Sequence, residues 1–376
     1  REEMEAFPDS RLAGWLNIKY ILMDRVRDAW IDGVYYDLAL SRSLSASDDS
    51  FVVSSLPSFE TTSIGVVSHL VGSTDLSDGT PVATVKVTDI GGESYELTFR
   101  AGDHTSEGRW AESNEYGAAR HREARMAKGW KDAPTAWDYL GVLPLPEPVI
   151  PREISIRYLQ PRGQLVVNGI SEIDDRTRTS TPVTLSDSYR LTHIGDVKIY
   201  ENKETLPRAF VVHEAAVAAD DTAALRMLGD ELFQHGRRVV LLEGELQEMN
   251  EWGLAAGHDQ ITAGPTTSEP SSSQEPAVID VYEPGRVVVK ATLHSPGFLV
   301  ITDSHYPGWR AFVDGKENPI LRADYMFRAI RLDAGEHVVE LRYEPLSLTI
   351  GAAISAAALL ALLALLARYA RAGRWR

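Results

Sequence analysis

From Leu346 to Ala367 the chain reads "LSLTIGAAISAAALLALLALLA", 22 residues without a single charge. As a helix this run is roughly 33 Å long, enough to cross a hydrocarbon core of about 30 Å. A buried core helix is the competing reading, but soluble helices of this length keep a polar face. Arg368, Arg371, Arg374 and Arg376 follow directly, whereas Glu344 and Pro345 precede it. The positive-inside rule therefore predicts a transmembrane helix at 346–367 and a basic cytoplasmic tail at 368–376, with residues 1–345 extracytoplasmic. The chain opens at Arg1 with no charged n-region, apolar h-region or cleavage site. The expectation is thus the C-terminal piece of a longer, multi-span protein.

Charge narrows the partners. The net charge is −16, and removing the four tail arginines from 38 Lys and Arg leaves 34 against 54 acids. Such a surface repels nucleic acid and anionic headgroups, so no nucleic acid is expected. With no cysteine in the chain, disulfides, zinc–thiolate sites, iron–sulfur clusters and thiol catalysis are excluded. Phosphate loops, dinucleotide fingerprints, nucleophile elbows and zincin helices have no matching motif. The histidines are scattered, and no metal ligand set is predicted. A sortase-type L-P-x-T-G is also missing, which counts against a covalently anchored wall adhesin.

The remaining chain reads as mainly β with a small α/β unit. "PDSRLAGWLNIKYILMDR" offers Asp9 or Ser10 as N-cap of a short helix, then changes to strand periodicity at Ile18. "DVKIYEN" at Asp196–Asn202 and "LPRAFVV" at Leu206–Val212 are further strands. "DDTAALRMLGDELFQHG" reads as a helix capped by Asp221, with Leu225, Leu228 and Leu232 on one face and Gly236 ending it. With the strand "RRVVLLEG", these pieces predict a discontinuous α/β unit over 1–48 and 177–260.

Residues 49–176 interrupt that unit with short β-branched runs, among them "TSIGVVSHLVG", "PVATVKVTD" and "GQLVVNGISEI". Turn residues punctuate them, as an antiparallel sandwich or jelly roll requires. Within this insert "HREARMAKGWKDAPTAWDYLG" is expected to be a long loop with some helix. A Pro-, Ser- and Thr-rich linker is predicted at 261–277. Six strands then follow over 278–345, with Asp314-Gly315 as a hairpin signal, which predicts a small membrane-proximal β-sandwich.

Two stretches carry chemistry. In "RAGDHTSEGRW", Asp103, His104, Glu107, Arg109 and Trp110 can supply an acid–base pair or sugar contacts, or they form a strand-exit loop with solvated acids. In "HYPGWRAFVDG", alternation puts Trp309, Ala311 and Val313 on one face. Trp309 then plugs the sandwich core or stacks on a sugar, while Tyr306, in the turn, presents an exposed ring. Arg310, Arg322 and Arg328 either pair with Asp314, Asp324 and Asp333 or meet lipid phosphates or a phosphorylated donor. Tyr325 completes the set of candidate glycan or lipid-phosphate contacts.

Several motifs occur in order in the C-terminal region. They are S-x-Y-P-G-W at Ser304–Trp309, V-D-G at Val313–Gly315, R-A-D-Y-x-F-R at Arg322–Arg328, A-G-E-H at Ala334–His337 and Y-E-P at Tyr343–Pro345. Together with "LNIKYIL" and "KIYEN…LPRAFVV" upstream, they resemble the YfhO family of bacterial membrane proteins. The insert resembles galactose-binding-type jelly rolls. The family resemblance implies a multi-span glycosyltransferase of the GT-C type, which uses a polyprenyl-phosphate sugar as donor and modifies cell-envelope polymers. The catalytic carboxylate of such enzymes lies in an early loop between N-terminal membrane helices. The resemblance therefore implies a non-catalytic outer region here, with no catalytic residue and no cofactor of its own. It implies as partners membrane lipid, the N-terminal transmembrane region of the same protein, and envelope glycan. A rival reading is a membrane-anchored glycan-binding or adhesion protein, and a further rival is a purely structural packing module.

Overall fold

The structure, a computed structural model, describes residues 7–115, 119–230, 232–254, 261–262 and 275–372. The chain is mainly β and divides into two compact units, residues 1–10 with 18–204, and residues 11–17 with 205–376.

The first unit is built on an antiparallel β-sandwich. One sheet has the order Thr179–Val183, Gln164–Asp174, Thr61–Val71, Ala133–Val149, Met126–Trp130, with Arg42–Leu44 also pairing on Gln164–Asp174. The other has the order Ser50–Val53, Pro151–Tyr158, Pro81–Asp89, Ser94–Arg100. Ile64, Val66, Val85, Val87, Ile154 and Ile156 alternate inward to form the shared core. Thr61–Val71 is buried on both faces, because the hairpin Ala29–Ile31/Val34–Tyr36 places Ala29 and Tyr36 against Val67 and Leu140. A three-stranded sheet, Tyr20–Met23, Lys198–Asn202 and Tyr189–Ile194, completes the unit.

The second unit is also layered. A seven-stranded mixed sheet has the order Ala209–Val212, Gly297–Ile301, Phe327–Leu332, Leu321–Ala323, Arg238–Leu242, Glu214–Ala218, Ile261–Thr262. Its parallel pair, Glu214–Ala218 and Arg238–Leu242, is joined by helix Asp221–Leu228, as a crossover connection requires. One face packs on that helix and on Glu243–Glu251 through Ala224, Leu228 and Met249. The other meets a five-stranded antiparallel sheet, Ala277–Glu283, Arg286–Leu293, Gly335–Tyr343, Trp309–Val313, Lys316–Asn318, through Val289, Leu299, Ile330, Val339 and Leu341. All six strands expected over 278–345 are present, and the Asp314-Gly315 turn has φ of 50° and 81°. A residue with a β-carbon is disfavoured at the second of these angles, which is why glycine closes the hairpin.

Several expectations need correction. The strands assigned to one discontinuous α/β unit separate: those before Asn202 pair within the first unit, while those from Ala209 join the C-terminal strands in one sheet. Backbone pairing, which local periodicity does not report, decides that partition. Helix Asp221–Leu228 is capped by Asp220, whose carboxylate accepts from the Ala223 N–H, and it stops at Gly229. It buries Ala224 and Leu228, whereas Leu225 and Leu232 are exposed. The stretch expected as a long loop instead contains Met126–Trp130 paired with Ala133–Val149, and the helix lies earlier, at Trp110–Glu115. Of the expected linker, Ile261–Thr262 forms a strand, and residues 263–274 lie outside the described residues.

The C-terminal helix spans Leu346–Ala372, and the most apolar 18 residues within Leu346–Tyr369 have a mean hydropathy of 2.5. None of it is buried against the described protein, so the core-helix reading lacks its packing partner. Arg374 and Arg376 of the basic tail lie outside the described residues.

Candidate functional site

The turn and hairpin at 305–318 form one wall of a cleft of about 210 Å³ in the second unit. Pro307-Gly308 turns the chain into strand Trp309–Val313, and Gly308 has φ of 103°. A β-carbon there would approach the Tyr343 ring to 2.9 Å and Pro345 to 3.1 Å, so only glycine permits this packing. Trp309 and Ala311 turn to the sandwich interior, and Asn318, directly across the hairpin from Ala311, shares that face. The strand Lys316–Asn318 is the free edge of its sheet, and the cleft opens there.

Trp309 is only half-buried and packs against the edge of the core. Its exposed neighbour Tyr306 lies edge-on to it at 6.4 Å between ring centroids, and Tyr343 is 5.4 Å away. Arg328 covers the indole: its guanidinium carbon is 4.1 Å from the Trp309 centroid and 5.4 Å from that of Tyr306. Nε and Nη2 of Arg328 both donate to the Ser304 carbonyl, at 3.0 and 2.9 Å. Burial pulls the Arg328 pKa below the ordinary guanidinium value, with nearby Asp303 acting the other way.

Three polar atoms in the cleft lining have no partner: the Nε1 of Trp309, the Oδ1 of Asn318 and the Nη1 of Arg328 are buried without a hydrogen bond. Each such atom costs about 1–3 kcal/mol. A larger groove of about 540 Å³ on the first unit, lined by Thr181, Thr192 and His193 among others, has no such atom among the described residues.

The expected arginine pairings come out differently. Arg310 holds Glu317 through Nε and Nη2 at 2.8 and 2.9 Å, and Glu344 through Nη1 at 2.8 Å. Those bonds keep the Glu317 carboxyl below its usual pKa. Arg322 bonds Asp221 at 2.7 Å and is not among the residues that line the cleft. Asp314 instead takes His337 at 2.8 Å, and Asp333 lies 4.0 Å from Arg331. Asp324 is fully buried, accepts from the Val240 N–H at 2.7 Å, and is pushed up to about 7 by burial. Tyr325 follows it in the same turn, with φ of 47° and 69° for the two residues, and its ring is exposed.

In the first unit, the candidate loop residues are tied into the scaffold. The Glu107 carboxylate accepts from the Gly72 and Ser73 N–H groups, both at 2.9 Å. Asp103 pairs with Arg122. The His104 ring stacks on Phe99, accepts at Nδ1 from the Arg100 N–H, and has its pKa lowered by burial. Trp110 donates to the His121 carbonyl. The structure brings these four onto one loop, yet each polar group mentioned is already engaged locally.

Two clusters lie outside the residues singled out from sequence. Lys198, 1% exposed, is held by Asp28 at 2.5 Å and Asp37 at 2.7 Å, with Tyr35 and Tyr200 donating to the same carboxylates. On the outer face of the larger sheet, Asp138 Oδ1 gathers His69, Trp130 and Asn168 within 3.0 Å. No group of three or more metal-ligating side chains occurs among the described residues.

A β-sandwich running directly into a bare apolar helix defines a membrane protein with a large β-rich module outside the bilayer core. Residues 270–355 match the family model described as bacterial membrane protein YfhO. No curated protein matches the sequence closely enough to count as a relative. The structure is similar to the cryo-EM structure of arabinofuranosyltransferase AftD from Mycobacteria, at 12% identity and a TM-score of 0.21, over 90% of this chain and 25% of that one. A mutant of AftD aligns at 9% identity and a TM-score of 0.18, over 75% of this chain and 12% of that one. At such scores no fold or activity is transferred, and the chain spans about a quarter or less of those proteins' length.

Proposed function

We propose that this chain is the extracytoplasmic C-terminal region of a glycosyltransferase-like YfhO membrane protein acting on cell-envelope polymers, and that it handles the acceptor or product glycan. The observation that carries this reading is the YfhO segment itself, whose sandwich passes into the membrane helix and holds a polar, aromatic cleft at that junction. The parent protein would use a polyprenyl-phosphate sugar, with catalysis elsewhere in the full-length protein. The first unit, as a galactose-binding-like jelly roll, would serve as a recognition module, and the N-terminal membrane region and envelope glycan would be partners.

The chain has no native cysteine, so single cysteines report its sidedness directly. Ala46→Cys should react with a membrane-impermeant maleimide on intact spheroplasts, and Gly373→Cys only after permeabilisation. The reverse pattern would overturn the topology. Deleting the gene should alter envelope-glycan composition; an unchanged glycan profile would leave a glycan-binding protein without transfer activity.

A further inference from the structure

We infer that the cleft beside Trp309, Asn318 and Arg328 binds one neutral sugar residue of a glycan held close to the membrane. This rests on the envelope-glycan reading above and assigns it a site. The three unpartnered buried atoms are two donors, the Trp309 indole N–H and Nη1 of Arg328, and one acceptor, the Asn318 amide carbonyl; the indole and the amide, of opposite hydrogen-bonding sense, lie on one face of one hairpin. A hydroxyl group donates and accepts at once, and therefore serves both. A phosphate oxygen only accepts, and would leave Asn318 Oδ1 unpaired.

Charge points the same way. The cleft and its immediate ion pairs hold Arg310 and Arg328 against Glu248, Glu317 and Glu344, a net of one negative charge. Arg310 already spends Nε, Nη1 and Nη2 on two carboxylates, and Arg328 spends Nε and Nη2 on Ser304, leaving only its Nη1 open. Neither guanidinium offers the open two-nitrogen fork by which arginine grips a phosphate. The rings are placed for a sugar: Tyr306 and Trp252 are exposed at the rim, and Trp309 lies in the wall. A volume of about 210 Å³ is smaller than the roughly 300–1,000 Å³ of drug-sized sites, which suits a single ring better than an oligosaccharide.

The test uses the full chain in lipid nanodiscs, with methyl glycosides of neutral hexoses and pentoses as probes. Binding is followed by saturation-transfer NMR and tryptophan fluorescence. At least one glycoside should bind saturably, with affinity unchanged by inorganic phosphate or by phosphatidylglycerol in the disc. Asn318→Ala and Trp309→Phe should each weaken it about five- to tenfold, the loss of one hydrogen bond, with an unchanged unfolding transition. Asn318 lies on an edge strand, so that variant carries the test if Trp309→Phe does not fold. The inference is overturned if no glycoside binds, if Asn318→Ala binds like the parent, or if phosphate or the anionic lipid competes. Because this readout is binding by the purified chain, an altered glycan profile in deletion cells with no glycoside binding would sink the site and spare the transfer reading.

Discussion

Arg328 and Trp309 join the two sheets of the membrane-proximal sandwich, one side chain from each, with the guanidinium carbon 4.1 Å from the indole centroid. Arg328 shares a strand face with Ile330 and Leu332, so it points into the interior, 3% exposed. Its charge is sustained there by the π-face and by one carbonyl, without a carboxylate bond.

Arg328→Lys keeps the charge but loses the planar stack and the two-nitrogen grip on Ser304, and should cost about 1–2 kcal/mol. Arg328→Ala should cost more, about 2–3 kcal/mol, because the Ser304 carbonyl loses both donors. Urea unfolding of the full chain in detergent measures both; equal costs for the two would refute the stacking contribution.

Asp324 gives the second unit a pH dependence. Its folded pKa of about 7 lies above the ordinary 3.8, so the folded state holds the proton more tightly than the unfolded chain. That contribution is complete below about pH 4, falls as pH rises, and is gone once pH passes about 7. Asp324→Asn keeps an acceptor for the Val240 N–H and should flatten this slope. A thermal-melt series from pH 4 to 8 reads it directly, and an unchanged slope would argue against a buried, protonated acid.

Glu172 should act likewise in the first unit. Its two carboxylate oxygens are buried without a bond, and burial pushes it up to about 8 from 4.5. The same sign applies: stability declines between about pH 4.5 and 8. Glu172→Gln should raise the melting temperature at pH 8 and change little at pH 4. Hydrogen exchange in strand Gln164–Asp174 localises the effect.

Lys198→Met should cost about 3–5 kcal/mol, since it leaves Asp37 without its cation and Asp28 with Arg25 alone, at 3.6 Å. Adding Asp28→Asn and Asp37→Asn should recover much of that loss. A triple variant no more stable than Lys198→Met would mean that packing, not charge, is what the lysine supplies.

The sequence made the C-terminal region most legible. The β-period of "RVVVKATLH" through "EHVVELRY", the Asp-Gly turn and the uncharged terminal run are local signals, and each appears as expected. Which strands share a sheet was not legible, because Ala209–Val212 and Arg238–Leu242 find partners many residues away. The hairpin around Asp32-Gly33 carries the same turn signal as Asp314-Gly315, but its strands are only three residues each, too short for a clear alternation. Lys198 offered a clue of its own: it alternates with Tyr200 and Asn202, all buried, and an inward lysine demands carboxylates. Tyr306, Trp309, Arg310 and Arg328 of the cleft are legible in the sequence; Trp252 and Asn318 are not, since an edge asparagine resembles any turn-flanking polar residue.

Only Glu344 and Pro345 separate strand Gly335–Tyr343 from the helix at Leu346, and the Glu344 N–H is tied to the Gly308 carbonyl at 2.7 Å. Two residues reach no further than about 7 Å, so this junction has almost no slack. The sandwich cannot swing on a flexible stalk, and any tilt of the helix within lipid is passed to the Pro307-Gly308 turn. A sugar seated in the cleft would therefore keep one nearly fixed distance from the first turn of the helix.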